Sequence, residues 1–449
     1  PDLSATALYE IPYLDGVFCE KQVTDVHPNL SRGTVSGTAS FQIENITGTE
    51  QMVAFAINPG YEVNSVQANG QPVPFEIDNY QESNMALLNV TIPDLESIDL
   101  CFDYQGFPQD WNLMETMQGK PEISSKYLCL ENQTLAPMIM NVGTADGLFS
   151  SITDITLPDT MTVIPFGLAE AKKEVEHDNG TITWRIEDTG TGGILYAGDY
   201  VRQDIDAAGT SIQFYYGRKH HPIMEEANAA EAIQTVMEYC SSHYGVPSFS
   251  SLDSLKLIQG RVAGGGYAVS GASLMDEQDF TAQNLHNSEK GGIPGEVMIH
   301  ELVHQWWGLG AMFDVSQPDS AWSAEGLTVY TTYRIIKELY GEAYAKENYI
   351  DQWKTAVDDY YHNFYIRNPQ YLEALPEEKR LDISNQLSNM RYYNEMPLKI
   401  LKAEELVGGE EAMDLILYQL FNRDVDPMYP YLTEQEFLNA CGLTEEDLN

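Results

Sequence analysis

Two histidines four residues apart, with a glutamate beside the first, form the most informative feature of this sequence: His300-Glu301-Leu302-Val303-His304. On a helix, residues four apart share one face, so both imidazoles can reach a single ion. The carboxylate of Glu301 then lies to the side, where it can take a proton from water. By composition such a match arises by chance roughly 0.02 times in a chain of this length. The bland alternative is a pair of helix histidines satisfied by hydrogen bonds. Against it, Met298, Ile299, Val303, Trp306 and Trp307 mark a buried helix, where an unpaired imidazole is costly. A metal is the better account. A catalytic zinc takes three protein ligands and keeps one position open. Glu325, with twenty residues between it and His304, sits in the first turn of a helix read as starting at a capping Ser323. It is the preferred third ligand. Asp314 and Asp319 are also in range but fall in a loop, where a carboxylate is positioned less tightly.

These residues carry a resemblance. HELVHQWWG (300–308) followed by WSAEG (322–326) is similar to the gluzincin aminopeptidases, the aminopeptidase N and leukotriene hydrolase group, whose pattern is H-E-x-x-H-x18-E. This sequence has two more residues between the ligands, which a longer loop near Gln317-Pro318 would absorb. The resemblance implies one Zn2+ per chain on His300, His304 and Glu325, with Glu301 as general base, and a peptide as substrate. The group's second signature, G-x-M-E-N, holds a glutamate that grips the free α-amino group. The matching stretch is Gly265-Gly266-Tyr267-Ala268-Val269, so the glycines are kept and the glutamate has become Ala268. Glu277, and less directly Glu131, are candidate replacements. The group also uses a tyrosine to hydrogen-bond the developing oxyanion; Tyr393 takes that place, with Tyr392 as runner-up. Glu395 and Met396 replace the lysine and glycine that usually follow it.

The elements that must position these groups come in two kinds. Residues 1–216 read as strands: short alternating or branched runs divided by turn residues, with hairpin signals at Asn69-Gly70 and Asn179-Gly180. An antiparallel sandwich or saddle is the natural architecture. Residues 217–449 read as mainly helical, with a small mixed stretch near 250–275, and helices ending at Gly245, Gly308 and Gly341. The fold expected is therefore α+β and multidomain, a β-rich domain followed by a catalytic domain that the resemblance makes thermolysin-like. The peptide would lie between the two halves.

Composition narrows the function further. The 24 Lys+Arg against 68 Asp+Glu leave a net charge of −44, which repels phosphate backbones and speaks against nucleic-acid binding. At 43% hydrophobic residues the chain can bury a core. No stretch approaches the roughly 18–20 apolar residues of a membrane-spanning helix. The five cysteines lack C-x-x-C spacing and, being odd in number, cannot all pair within the chain. Five Asn-x-Ser/Thr triplets carry meaning only in a eukaryotic secretory pathway. The start at Pro1 is that of a processed or excised piece. In layout the chain is similar to two-domain, peptidase-like parts of bacterial membrane transport proteins. That implies an extracytoplasmic or secreted place, as part of a larger membrane-anchored protein, with the cytoplasm as alternative. The competing function is a metal-bearing module that captures or senses peptides with little turnover: Ala268 favours it, and the intact Glu301 opposes it.

Overall fold

The alternating patterns of the N-terminal half fold, in the computed structural model, into one nine-stranded and two four-stranded sheets. The structure describes residues 11–80, 85–109, 122–190, 193–226, 229–246, 254–261, 266–277, 295–313 and 321–449. At the centre of the large sheet, Val17–Asn29 pairs antiparallel with Thr34–Asn45 and parallel with Ser150–Pro158. Thr34–Asn45 buries every second residue, including Val35, Ala39, Phe41 and Ile43, because successive side chains of a strand point to opposite faces. Phe41 and Phe102 of this sheet meet Phe55 of Gln51–Ile57, a strand of a four-stranded sheet, at ring-centroid distances of 4.7 and 5.4 Å. The sheets therefore share one core. At the first hairpin both Asn69 and Gly70 have positive φ, at 49° and 78°, the conformation that Asn-Gly favours. The second differs. Asp178, Asn179 and Gly180 form a three-residue connection in which only Gly180 is at positive φ, since the longer loop needs one left-handed residue and not two.

The second region holds a five-stranded sheet: β1 (Tyr200–Ala207), β2 (Thr210–Gly217), β3 (Ser254–Gly260), β4 (Gly266–Val269) and β5 (Ala272–Asp276), in the order β1-β2-β3-β5-β4. β2, β3 and β5 run parallel, and β4 is an antiparallel edge strand. Strand gives way to helix after Gly217, but the contacts divide the chain into Pro1–Val201 and Arg202–Asn449. The boundary read from the sequence, 216/217, marks the first change and not the second, because β2 pairs with β3 and so belongs to the C-terminal unit.

The longer helices are α1 (Ala229–Tyr244), α2 (Gly295–Val303), α3 (Leu327–Tyr340), α4 (Asp351–His362), α5 (Glu377–Met390), α6 (Met396–Val407), α7 (Glu410–Phe421) and α8 (Glu434–Cys441). α3 ends at Gly341, whose φ of 91° suits glycine. α3, α6 and α7 are joined through buried Arg334. Its guanidinium donates to Tyr330 Oη at 2.7 Å and to Asp414 Oδ2 at 3.0 Å, and Tyr330 Oη donates to Glu404 Oε2 at 2.5 Å. A guanidinium taken from water needs this degree of pairing. All five cysteines are unpaired. Among the described residues no helix is long and apolar enough to cross a membrane.

Candidate metal centre

From Met298 to Gly308 the end of α2 and the turn after it are nearly all core: Met298, Ile299, Leu302, Val303, Trp306 and Trp307 are fully buried, and only His300 and His304 are partly exposed. The helix, expected to run to Gly308, ends at Val303. Gln305 and Trp306 donate to carbonyls three residues back, and the two indoles take tertiary partners: Trp306 donates to the Gly245 carbonyl, Trp307 to Thr331 Oγ1. Those bonds outweigh helix continuation. The helical turn survives through His304, whose N–H still reaches the His300 carbonyl at 3.2 Å, so both rings keep one face.

The two Nε2 atoms lie 3.0 Å apart, and Glu325 Oε2 lies 3.1 Å from that of His300 and 3.4 Å from that of His304. His304 Nδ1 faces the Trp307 carbonyl at 3.0 Å. That bond holds the ring proton on Nδ1 and turns the Nε2 lone pair inward, as in a metal-ligating histidine. Glu325 Oε2 is buried and takes no well-aligned hydrogen bond. Converging lone pairs and a carboxylate oxygen repel one another unless a positive charge lies among them. The surroundings favour a positive charge at this point: burial works against a charged His304, yet Glu325 and Glu301 hold its pKa up at about 9. Burial likewise opposes a charged Glu325, yet the two imidazoles hold it well below the usual carboxylate range. An N2O donor set with these features fits Zn2+. A Glu301 oxygen and the histidine nitrogens also lie within 4.8 Å of one another, but Glu325 is the nearer carboxylate.

Glu325 belongs to a wide π-type turn, Trp322–Gly326, that runs into α3. Ser323 is fully buried inside this turn and is not a cap. The helical course already includes Ala321. A π-turn inserts a residue into the helical ladder and is frequent at functional sites; here it turns Glu325 toward the histidines. Asp314, Gln317, Pro318 and Asp319 lie outside the described residues.

Glu301 is 5% exposed, and burial pushes its carboxyl up, with His300 and His304 pulling it back. The edge strand β4 runs beside it. A Cβ on Gly266 would meet Glu301 Cγ at 2.4 Å, so only glycine permits this approach. The same strand face carries Ala268, two residues on and half-buried. Tyr267 is part-buried in β4; Gly265 lies outside the described residues. Glu277 is not drawn to the histidines. Its carboxylate pairs with Arg261 at 3.2 Å and Lys219 at 3.5 Å. Glu131 ends the strand Tyr127–Glu131 of the first unit, buried.

Tyr393 sits in another π-turn, Arg391–Glu395, between α5 and α6. Its ring centroid is 6.1 Å from that of His300. The side chain is 39% exposed, but desolvation at its hydroxyl end, with the neighbouring Glu325 and Glu301, pushes the phenol up, so it stays a hydrogen-bond donor. No such placement is found for Tyr392.

One group escaped the sequence reading. Gln305 is fully buried: its Oε1 accepts from Gly271 N at 3.0 Å and its Nε2 donates to the Val269 carbonyl at 2.9 Å. Ser273 Oγ donates to the Glu301 carbonyl at 2.9 Å. Together they pin the β4–β5 hairpin to the histidine helix. The only available signal was a polar residue directly after the second histidine in an otherwise apolar run.

No family model matches the chain. Among curated proteins it is similar to Probable aminopeptidase 1 of Sulfurisphaera tokodaii, 21% identical over 394 residues, which are 85% of this chain and 45% of that protein. It is also similar to Leucine aminopeptidase 2 of Emericella nidulans, 30% identical over 116 residues, 26% of this chain and 18% of that protein. The matches span less than half the length of these curated relatives. Among solved structures, the M1 zinc metallopeptidase from Deinococcus radiodurans aligns over 96% of this chain and 92% of its own, with a TM-score of 0.53 and 15% identity. Native yeast LTA4 hydrolase aligns over 95% and 64%, with a TM-score of 0.54 and 13% identity. The chain thus shares the α+β fold of these metallopeptidases.

Proposed function

We propose that this protein is a zinc-dependent peptidase that hydrolyses peptide bonds, aminopeptidase-like but without the usual amine-gripping glutamate. The observation that carries the proposal is the convergence of His300 Nε2, His304 Nε2 and Glu325 Oε2 within 3.4 Å, beside the buried carboxylate of Glu301. His300, His304 and Glu325 would hold one Zn2+, which supplies Lewis acidity to water and to the scissile carbonyl. Glu301 takes the proton of the attacking water at a carboxylate oxygen and passes it to the leaving amine; its raised pKa suits both halves of that task. Tyr393 Oη donates to the carbonyl oxygen as negative charge develops there. The aminopeptidase relatives support a peptide substrate.

Glu301→Gln tests the proposal. The amide keeps the shape of the carboxylate but cannot accept a proton at neutral pH, so hydrolysis of a peptide library should fall by about 10²–10⁴-fold. Zinc content, read by mass spectrometry of the metal, should stay at one per chain. Equal turnover in wild type and variant would remove Glu301 from the base role. Absence of turnover in both favours the second reading, a metal-bearing peptide-capture module, for which the half-buried Ala268 beside the site speaks.

A further inference from the structure

Two side chains brace the turn that presents Tyr393: Asn394 Nδ2 donates to the Met390 carbonyl at 3.0 Å, and the Glu395 carboxylate ties the ends of the turn to its neighbours. Arg391 and Glu395 are the first and last residues of the π-turn, and Arg391 Nε donates to Glu395 Oε2 at 3.0 Å. The pair spans the turn with Tyr393 between its ends. The other oxygen of Glu395 accepts from Tyr361 Oη of α4 at 3.1 Å and lies 3.6 Å from Lys399 Nζ of α6. The Glu395 carboxylate is thus tied to three elements, and the residue is only 8% exposed. On its far side the turn has no slack: a Cβ on Gly326 would come within 3.0 Å of Met396 Cβ, so the Glu325 turn and the start of α6 already touch.

We infer that Glu395 is a positioning residue that holds Tyr393 over the metal centre; the inference rests on the peptidase reading above. A π-turn interrupts the regular helical ladder, so its shape needs side-chain bonds that a plain helix does not. α4 and α5, which pack against the turn, offer little else: between Asp351 and Met390 only Trp353 and Leu387 are buried. Without Glu395, Arg391 and Lys399 lose the anion they share, and the Tyr361 hydroxyl loses its acceptor. The turn then relaxes, and Tyr393 Oη leaves its working position. Glu395 touches no reacting atom; it acts through Tyr393.

The experiment compares wild type, Glu395→Ala, Glu395→Gln, Tyr393→Phe and the double variant Glu395→Ala/Tyr393→Phe, all zinc-loaded. A misplacement of the order of 1 Å costs up to about 100-fold. Glu395→Ala should lower kcat by about 10–100-fold, with KM and zinc content unchanged. Glu395→Gln, which keeps the acceptor for Tyr361, should recover part of that loss. In the Tyr393→Phe background Glu395→Ala should cost nothing further. A second readout does not depend on turnover. In protein labelled with 3-fluorotyrosine, the Tyr393 resonance, assigned by its loss in Tyr393→Phe, should be a single line in wild type and should shift or broaden in Glu395→Ala. Full kcat in Glu395→Ala, a loss that adds to that of Tyr393→Phe, or an unchanged fluorine line overturns the inference. If Tyr393→Phe itself keeps full turnover, the role given to Tyr393 fails, and the fluorine line alone decides whether Glu395 sets its position.

Discussion

The histidine helix and the segment leading to Tyr393 are built in opposite ways. In α2 and the turn after it, the chain from Met298 to Gly308 is core apart from the two histidines, and Gln305 and Ser273 bolt it to the β4–β5 hairpin. From Asp351 to Met390, two buried side chains anchor two long helices and two short ones, and Trp353 rests on Tyr333 and Tyr349 at ring distances of 5.5 and 5.9 Å. One side of the site is held by packing, the other by a polar clasp at Glu395. Packing fixes groups that must not move when a cation arrives. A clasp fixes a group whose work is a single hydrogen bond. The contrast predicts that changes on the first side abolish the site, while changes on the second weaken one step.

The largest effect should follow removal of a ligand. Two remaining donors cannot fill a tetrahedral site, so His304→Ala and Glu325→Ala should each lose zinc on dialysis and lower hydrolysis by more than about a thousandfold. Because α2 is fixed by its core, neither variant should unfold. The melting temperature should rise with added zinc in wild type, through binding to the folded state, and stay flat in the variants. Full zinc occupancy in both would refute the ligand set.

Tyr393→Phe should cost less. The ring keeps its place 6.1 Å from that of His300, so only the hydroxyl is lost. Removing one donor to a developing oxyanion lowers kcat by about 10²–10³-fold, with zinc retained and KM little changed. Wild-type kcat in this variant would break the comparison on its weaker side and turn attention to Tyr392.

The same contrast explains what the sequence could reveal. Spacing alone singled out His300, Glu301 and His304 as residues that would come together, because an i, i+4 pair on a helix is a local property. The Asn69-Gly70 hairpin was legible for the same reason: both φ values follow from the residue types. The end of α2 at Val303 was not, since it depends on Trp306 and Trp307 finding partners at Gly245 and Thr331. Nor was the π-turn around Glu325, where Ser323 looks like a cap in sequence but lies buried within the turn. Glu395 registered only as a departure from a pattern. Its partner Tyr361 is 34 residues away, and no local rule connects them. The division at Val201 was hidden too, because parallel pairing of β2 with β3 joins strands across the intervening helices.

The smallest effect concerns β4, which shares the rigidity of the histidine helix and so offers a place to add a group without moving the metal. Gly266 faces the Glu301 side chain, and Ala268 lies on the same strand face, paired with Ser273. A neutral alanine there gives a substrate's α-ammonium no acceptor. Wild type should therefore be poor on single-residue chromogenic amides and better on longer peptides, whose remote contacts can be used in the transition state. Ala268→Glu should restore a charge-assisted hydrogen bond of about 1.5–3 kcal/mol. Preference for a free over an acetylated N-terminus should rise by about tenfold for each 1.4 kcal/mol of that interaction realised. Zinc content should not change, because Gln305 and Ser273 keep the hairpin where it is. The measurement is the ratio of kcat/KM on paired free and acetylated peptides. A wild type that already cleaves single-residue amides far faster than acetylated peptides would show that another acid grips the amine. Since Glu277 is engaged by Arg261 and Lys219, Glu277→Gln and Glu131→Gln would then tell which carboxylate does so.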